Sequence, residues 1–303
     1  MQKGILQAAS AYLLWGLFPI FFKWLAEVPA HEVLAHRVVW SLLLLTGVLL
    51  LKKQWLAWLR SLREGGDALR FALSGSLLAL NWGVYIWAVQ GPHVLDASLG
   101  YYMTPLVSVA MAATVLKEKL SRLQWLSIGI AAAGVTVMTV STGRLPWVGL
   151  ALALSFGTYG LLRKTARRPS LEGLALETLW LAPVAAGFLV WLMLNQTDAW
   201  HHAHATASAP LPLWALLMLT GPLTAVPLLL FGAGAQKIPL SVLGLLQYLS
   251  PTVQMLLGTW VYGESLTPAR LFAFGAIWLA LGLFSWEGWR QWRRSQAGQA
   301  ASA

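Results

Sequence analysis

The sequence contains no cysteine, so disulfides, thiol nucleophiles and thiolate metal ligands are excluded while the redox compartment stays open. Charge is scarce too. Charged residues are 11% of the chain against 58% hydrophobic, where a soluble domain carries about 25% charged residues. With a mean hydropathy of +0.64, this is the composition of a membrane protein. Acidic residues are the scarcer sign, 11 against 21 Lys and Arg. The net charge of +10 does not point to nucleic acid, because the basic residues lie in short runs between apolar segments. No phosphate-binding or dinucleotide glycine pattern occurs, so ATP-driven transport within this chain is not expected. The His201-His202-Ala203-His204 run sits in a Ser/Ala/Pro-rich loop without a framework to fix ligand geometry, so no metal site and no cofactor is expected.

The chain is rich in apolar runs, and a bilayer span needs about 20 residues. Ten segments qualify: residues 4–26, 33–51, 68–91, 96–116, 123–142, 145–162, 173–196, 212–236, 240–262 and 269–286. Two connections are longer than the rest, 52–69 and 197–211. The 18 tryptophans suit interfacial belts. Met1-Gln-Lys leads straight into the first segment with no small-residue cleavage site, which reads as a retained helix.

The segments are written twice. Leu99-Gly-Tyr-Tyr-Met-Thr-Pro105 returns as Leu245-Leu-Gln-Tyr-Leu-Ser-Pro251. Leu99, Tyr102, Pro105, Val107, Val115, Glu118 and Leu120 all have identical counterparts in the second copy, with Tyr102 matching Tyr248 and Glu118 matching Glu264. Residues 13–23 parallel 154–164, and Glu32-Val-Leu-Ala parallels Glu172-Gly-Leu-Ala. The expected division is therefore 1–143 and 144–303, two five-helix repeats. All but four of the 21 basic residues fall in connections on one side of such a bundle. Arg144 and Arg270 lie on the other side, and Lys23 and Arg37 lie at or within spans. Both termini are then cytoplasmic. Because five is odd, the repeats are inverted, an architecture that suits alternating access to a central site.

Several residues could carry that site. Pro105 and Pro251 fall mid-segment at equivalent positions and should kink or loosen their helices. Freed carbonyls at that depth are tolerable where they line a cavity or are buried in protein. Asn81 and Tyr85 share a helix face and offer polar groups without a buried charge. An interhelical hydrogen bond is the bland alternative for Asn81. Arg37, with His36 before it, falls inside the second segment, and an intramembrane Arg is a functional candidate by default. Its candidate partners are Glu32, Asp96 or a substrate carboxylate, and snorkelling to headgroups is the alternative. Lys23, Lys164, Glu118 and Glu264 read as structural helix ends. Glu177 reads as an ion-pair partner of Arg163 or Lys164. Small faces at Gly129–Gly134, Gly275 and Gly282 permit close packing, including against a second copy in a homodimer.

Further stretches carry a resemblance. Ala11-Tyr-Leu-Leu-Trp-Gly16, Leu34-Ala-His-Arg37, Asn81-Trp82 with Tyr85-Ile-Trp-Ala88, and His93-Val-Leu-Asp-Ala-Ser-Leu-Gly-Tyr-Tyr102 belong to it. So do Ala153-Leu-Ser-Phe-Gly157, Pro239-Leu-Ser241 and Leu246-Gln-Tyr248. Together they resemble the RarD group of the EamA-type drug/metabolite transporters, over essentially the whole chain. The resemblance implies ten helices in an inverted five-plus-five arrangement around a central cavity, in a bacterial inner-membrane permease. Asp96 and Thr104 stand where the group pattern leads one to expect Glu and Asn.

The expectation is an all-α, multi-pass inner-membrane secondary transporter of a small organic metabolite or drug, with proton coupling left open. Asn81, Tyr85, Tyr102, Tyr159, Gln247 and Tyr248 are expected to bind substrate. His36, Arg37 and Asp96 are expected to gate or bind charge, and Pro105 and Pro251 to break helices. Two alternatives belong to other classes. A membrane-embedded lipid-modifying enzyme would need clustered acidic or His residues at one interface, where His93 and Asp96 come closest. A scaffold or sensor would have a dry, fully packed centre.

Overall fold

The computed structural model describes residues 1–61, 68–90, 94–142, 147–202, 209–261 and 268–301. Among them every regular element is helical. α1 (Gln2–Gly16) and α2 (Phe18–Lys23) divide the first apolar run at Leu17. Pro19 in the first turn of α2 explains the break, because its ring displaces the carbonyl four residues back. That freed carbonyl, of Trp15, accepts Gln254 Nε2 at 3.4 Å from a helix of the other half of the chain. α3 (Ala30–Leu51) starts directly after Pro29, where the helix asks no N–H of it. α4 (Trp55–Ser61) occupies the first long connection, and α5 (Ala68–Gln90) and α6 (Val94–Thr114) follow. α7 (Arg122–Thr142) begins with a reciprocal cap: Ser121 N–H donates to Gln124 Oε1 at 2.8 Å, and Gln124 N–H to Ser121 Oγ at 3.2 Å.

The second half opens with α8 (Trp147–Lys164) and α9 (Ser170–Leu194), the latter started after Pro169. α10 (Ala199–His202) is a single turn in the second long connection, ahead of α11 (Leu213–Ala235). The ninth apolar run is not one helix. It is α12 (Leu240–Leu246) and α13 (Leu249–Leu256), followed by a π-helical turn over Leu257–Val261. The interruption at Gln247–Tyr248 lies one turn before Pro251, whose ring excludes a bond to the Gln247 carbonyl; that carbonyl accepts Ser250 N–H instead, at 3.1 Å. By contrast α6 continues through Pro105 as one element, with Thr104 Oγ1 donating to the Gly100 carbonyl at 2.7 Å. α14 (Pro268–Ala301) runs well past the expected end at 286.

Five of these stretches are long and apolar enough to cross a bilayer: Gln2–Lys23, Ala30–Leu51, Ser170–His201, Leu213–Ala235 and Leu240–Val261. The flanks of the bundle are apolar as well, and Leu51, Val184, Leu194 and Trp260 are each more than three-quarters exposed. Such a surface is stable against hydrocarbon, and the chain is a multi-pass membrane protein.

Packing interleaves the chain. α6 lies against α8 and α12, α1 against α11 and α13, α3 against α9 and α11, and α5 against α8 and α9. α7 pairs with α14 at the periphery, where Gly129, Gly275 and Gly282 have no neighbour within 4 Å of where a Cβ would sit. The α3–α11 contact depends on Gly221, since a Cβ there would lie 2.5 Å from both the carbonyl carbon and Cβ of Trp40. Ser41 Oγ also donates to the Gly221 carbonyl, at 3.1 Å. Gly221→Ala must push the two helices apart, and a loss of about 1–3 kcal/mol of stability is expected from overpacking of this kind. Thermal unfolding in detergent measures it, with Gly187→Ala, at a position open for 4 Å, as the control.

Candidate functional site

A cavity of about 220 Å³ opens at the centre of the bundle, where α1, α2, α3, α5, α6, α8, α11 and α13 converge. Aromatic rings make much of its wall. Tyr12 and Trp15 come from α1, Phe18 and Phe22 from α2, Trp82 and Tyr85 from α5, Tyr101 from α6 and Phe156 from α8. The helix interruptions of the first and ninth apolar runs both border it, bringing Pro19, Gln247, Ser250 and Pro251 to its edge.

Arg37 is the one charged residue of the lining among the described residues. Its Nε donates to Thr224 Oγ1 on α11 at 2.9 Å. Its guanidinium carbon lies 4.5 Å from the Trp82 ring centroid and 5.5 Å from that of Phe22, a cation–π seat on two sides. Among the described residues no carboxylate forms an ion pair with it. The Asp96 side chain lies outside the described residues, as do His93 and His204. Asn81 spends both amide hydrogens on α8, to the Leu152 carbonyl at 3.0 Å and Ser155 Oγ at 2.9 Å. Its Oδ1 is thereby left as an acceptor at the cavity. The Tyr85 and Tyr101 rings meet edge to face at 5.6 Å opposite. Gln247 donates no side-chain bond among the described residues, so its amide is available to a ligand.

The expected site residues therefore separate. Asn81, Tyr85, Arg37, Gln247 and Pro251 come together at the cavity, whereas Tyr102, Tyr159, Tyr248, His36 and Pro105 are not among its lining residues. Tyr248 is fully buried and its hydroxyl donates to the Tyr102 carbonyl at 3.1 Å, so the two repeat-equivalent tyrosines hold the halves together. Tyr159 is turned away into the core. It stacks on Phe231 at 5.7 Å and donates to Glu177 Oε2 at 3.3 Å. Below the cavity, Glu177 also accepts Ser74 Oγ at 2.6 Å and pairs with Arg163 Nη1 at 3.5 Å.

Some residues of the wall went unread in the sequence. Gln254 lies seven residues after Gln247, two helical turns on, so helical spacing could have found it. Tyr12, Trp15 and Phe156 carried no polar pattern to mark them. Thr224, which holds Arg37 without lining the cavity, had no local signal at all. Glu118, expected only to end a turn, caps α12 from across the bundle. Its carboxylate accepts Leu240 N–H at 2.7 Å, Ser241 N–H at 3.2 Å and Ser241 Oγ at 2.6 Å. Glu264, its counterpart, is outside the described residues. Among the described residues no group of three or more His, Asp or Glu is placed to hold a metal ion.

A helical membrane bundle around an aromatic cavity with a few oriented polar groups is the architecture of a membrane transporter. The EamA-like transporter family matches residues 2–140. The uncharacterized transporter YojE of Bacillus subtilis is 43% identical, with 97% of each chain covered. The protein RarD of Streptomyces exfoliatus is 42% identical over 100% of this chain and 94% of its own. That of Escherichia coli is 38% identical over 93% and 94%. A solved crystal structure with 19% identity shares the fold at a TM-score of 0.69, covering 93% of this chain and 96% of its own. The chain belongs to the RarD group of the EamA-like transporters.

Proposed function

We propose that the chain is a secondary transporter, a permease of the bacterial inner membrane, that moves a small organic anion with a flat apolar body. Its halves, 1–143 and 144–303, act as inverted five-helix repeats that present the central cavity to each side in turn. No catalytic step is part of this reading. The contacts support it, because they survive exchange of the halves. Matching α1 with α8, α3 with α9, α5 with α11, α6 with α12 and α13, and α7 with α14 turns each major helix pair into another that is present or into itself. The Tyr248–Tyr102 bond joins equivalent residues across the same axis. The Lys and Arg distribution places both termini on the cytoplasmic side. At the end where α1 begins, Lys164 Nζ donates to the Ile238 carbonyl at 2.6 Å, and Gln236 Nε2 to the Arg168 carbonyl at 2.7 Å.

The observation that carries the cargo class is Arg37, a cation in an aromatic cavity whose lining, among the described residues, includes no acid. A buried charge needs an opposite one, and here the ligand supplies it. The guanidinium fork fits a carboxylate with two parallel bonds. A cavity of about 220 Å³ exceeds the roughly 150 Å³ that holds benzene, leaving room for one ring system with a short acidic arm. The test is a thermal-shift comparison of matched probes on purified protein, indole-3-acetate against indole-3-acetamide. The carboxylate is expected to raise the unfolding temperature by mass action and the amide to leave it unmoved. Equal shifts from both, or from neither, would sink the anion reading.

A further inference from the structure

Away from the cavity, at the other end of the first turns of α3, three buried polar atoms have no hydrogen-bond partner: Glu32 Oε2, His36 Nε2 and Asp198 Oδ2. Their residues are 1%, 5% and 2% exposed. They belong to one cluster. His36 Nε2 lies 3.9 Å from Glu32 Oε1, and Asp198 is close enough to act electrostatically on both Glu32 and His36. The other carboxylate oxygens are satisfied. Glu32 Oε1 accepts Ala199 N–H at 2.8 Å, and Asp198 Oδ1 meets His201 Nδ1 at 2.6 Å.

We propose that the Glu32–Asp198 carboxyl pair, faced by His36 Nε2, is a proton-binding site and the carrier that couples transport to a proton gradient. The chemistry is one proton short. Two buried carboxylates leave two acceptor oxygens without a hydrogen bond, beside the equally unpartnered His36 Nε2, and like charges so placed disfavour full ionisation of both. Adding one proton, carboxylate plus H⁺ giving carboxylic acid, removes one charge and creates the missing O–H donor. The unpartnered Glu32 Oε2 is the oxygen that seats it, beside the Asp198 carboxylate.

The site also has an entrance and an output. His201, with its side chain 51% exposed, bonds Asp198 and connects the cluster to the surface. His36 immediately precedes Arg37, the cavity-lining cation of the same helix. Glu32 additionally fixes the connection between α9 and α11 through Ala199, so its protonation acts on a tie across the bundle. Among the described residues the titratable groups around the cluster are few. His31 packs its ring on Phe188, Lys23 and Glu27 are exposed in the approach to α3, and α11 brings no ionisable side chain. The carrier role rests on the transporter reading, whereas proton binding does not.

Infrared difference spectroscopy of the full chain in liposomes, titrated between about pH 5 and 8, tests it without any cargo. A carboxylic C=O band is expected to appear on acidification, to vanish or shift in Glu32→Gln or Asp198→Asn, and to persist in Glu177→Gln. Both substitutions keep an acceptor for Ala199 N–H or a partner for His201, which preserves the local fold. No titrating band, a band unchanged in both variants, or one lost only in Glu177→Gln would overturn the site. The two readings fail separately. Indole-3-acetate binding without the band removes the proton site alone, and the band without probe binding removes the cargo class alone.

Discussion

Arg37→Gln is expected to abolish carboxylate binding and transport while the protein still inserts and folds. Among the described residues the guanidinium makes a single bond, from Nε to Thr224, and otherwise rests on the Trp82 and Phe22 rings. Its four remaining N–H groups are the donors a carboxylate would use. Hydrogen bonds to charged groups contribute about 1.5–3 kcal/mol each, so losing a forked pair removes on the order of a hundredfold or more in affinity. Arg37→Lys separates charge from geometry. It keeps the positive charge but not the planar fork or the stacking on Trp82, and is expected to bind weakly. Probe-induced thermal shift and uptake of labelled indole-3-acetate into proteoliposomes measure both variants. Wild-type uptake by Arg37→Gln would remove Arg37 from recognition and the anion class with it.

The sequence carried the helical, multi-pass character of the fold because the membrane leaves few choices. Apolar runs of the right length must be helices, and a chain written twice constrains their order. The breaks were only half legible. Pro251 marks an interruption, but a proline acts on the carbonyl one turn earlier, so the opening falls at Gln247–Tyr248. Pro19, unremarked in the sequence, divides the first run in the same way.

The site was harder to read, and the tyrosines show why. Tyr102 and Tyr248 stood out because the repeat conserves them within the chain, yet repeat symmetry marked the contact between halves and not the cavity wall. Its neighbour Tyr101 lines the cavity instead. Adjacent residues on a helix point about 100° apart, and the rotation that chooses between them is set by packing against α8 and α12. Asn81, Arg37 and Gln247 were legible for another reason. A polar group deep in an apolar run must face something polar, whatever the rotation.

Arg163→Ala is the substitution expected to cost most in stability, about 3–5 kcal/mol, because it strands a buried carboxylate. Arg163 and Glu177 are 1% and 0% exposed. The guanidinium pairs with Glu177 Oε1 and donates from Nη2 to the Ser170 carbonyl and hydroxyl, both at 3.2 Å. A Cβ on Gly232 would lie 2.5 Å from Nη2, so the backbone is shaped around this side chain. Removing it leaves Glu177 with only the Ser74 and Tyr159 hydroxyls. Glu177→Gln strands the Arg163 charge in turn, but should cost less, since the guanidinium keeps the Ser170 carbonyl and hydroxyl and can still meet the amide oxygen. The double variant Arg163→Met with Glu177→Leu should recover much of the loss, as buried ion pairs replaced by apolar side chains often do. Unfolding in detergent orders the three, and a single Arg163→Ala as stable as wild type would show the pair to be unimportant to the fold. Uptake by the double variant then separates two roles. Restored stability with lost uptake makes the cluster, set beneath Tyr159 and the aromatic floor, part of the closure that moves. Recovery of both makes it a fixed tie between α5, α8 and α9.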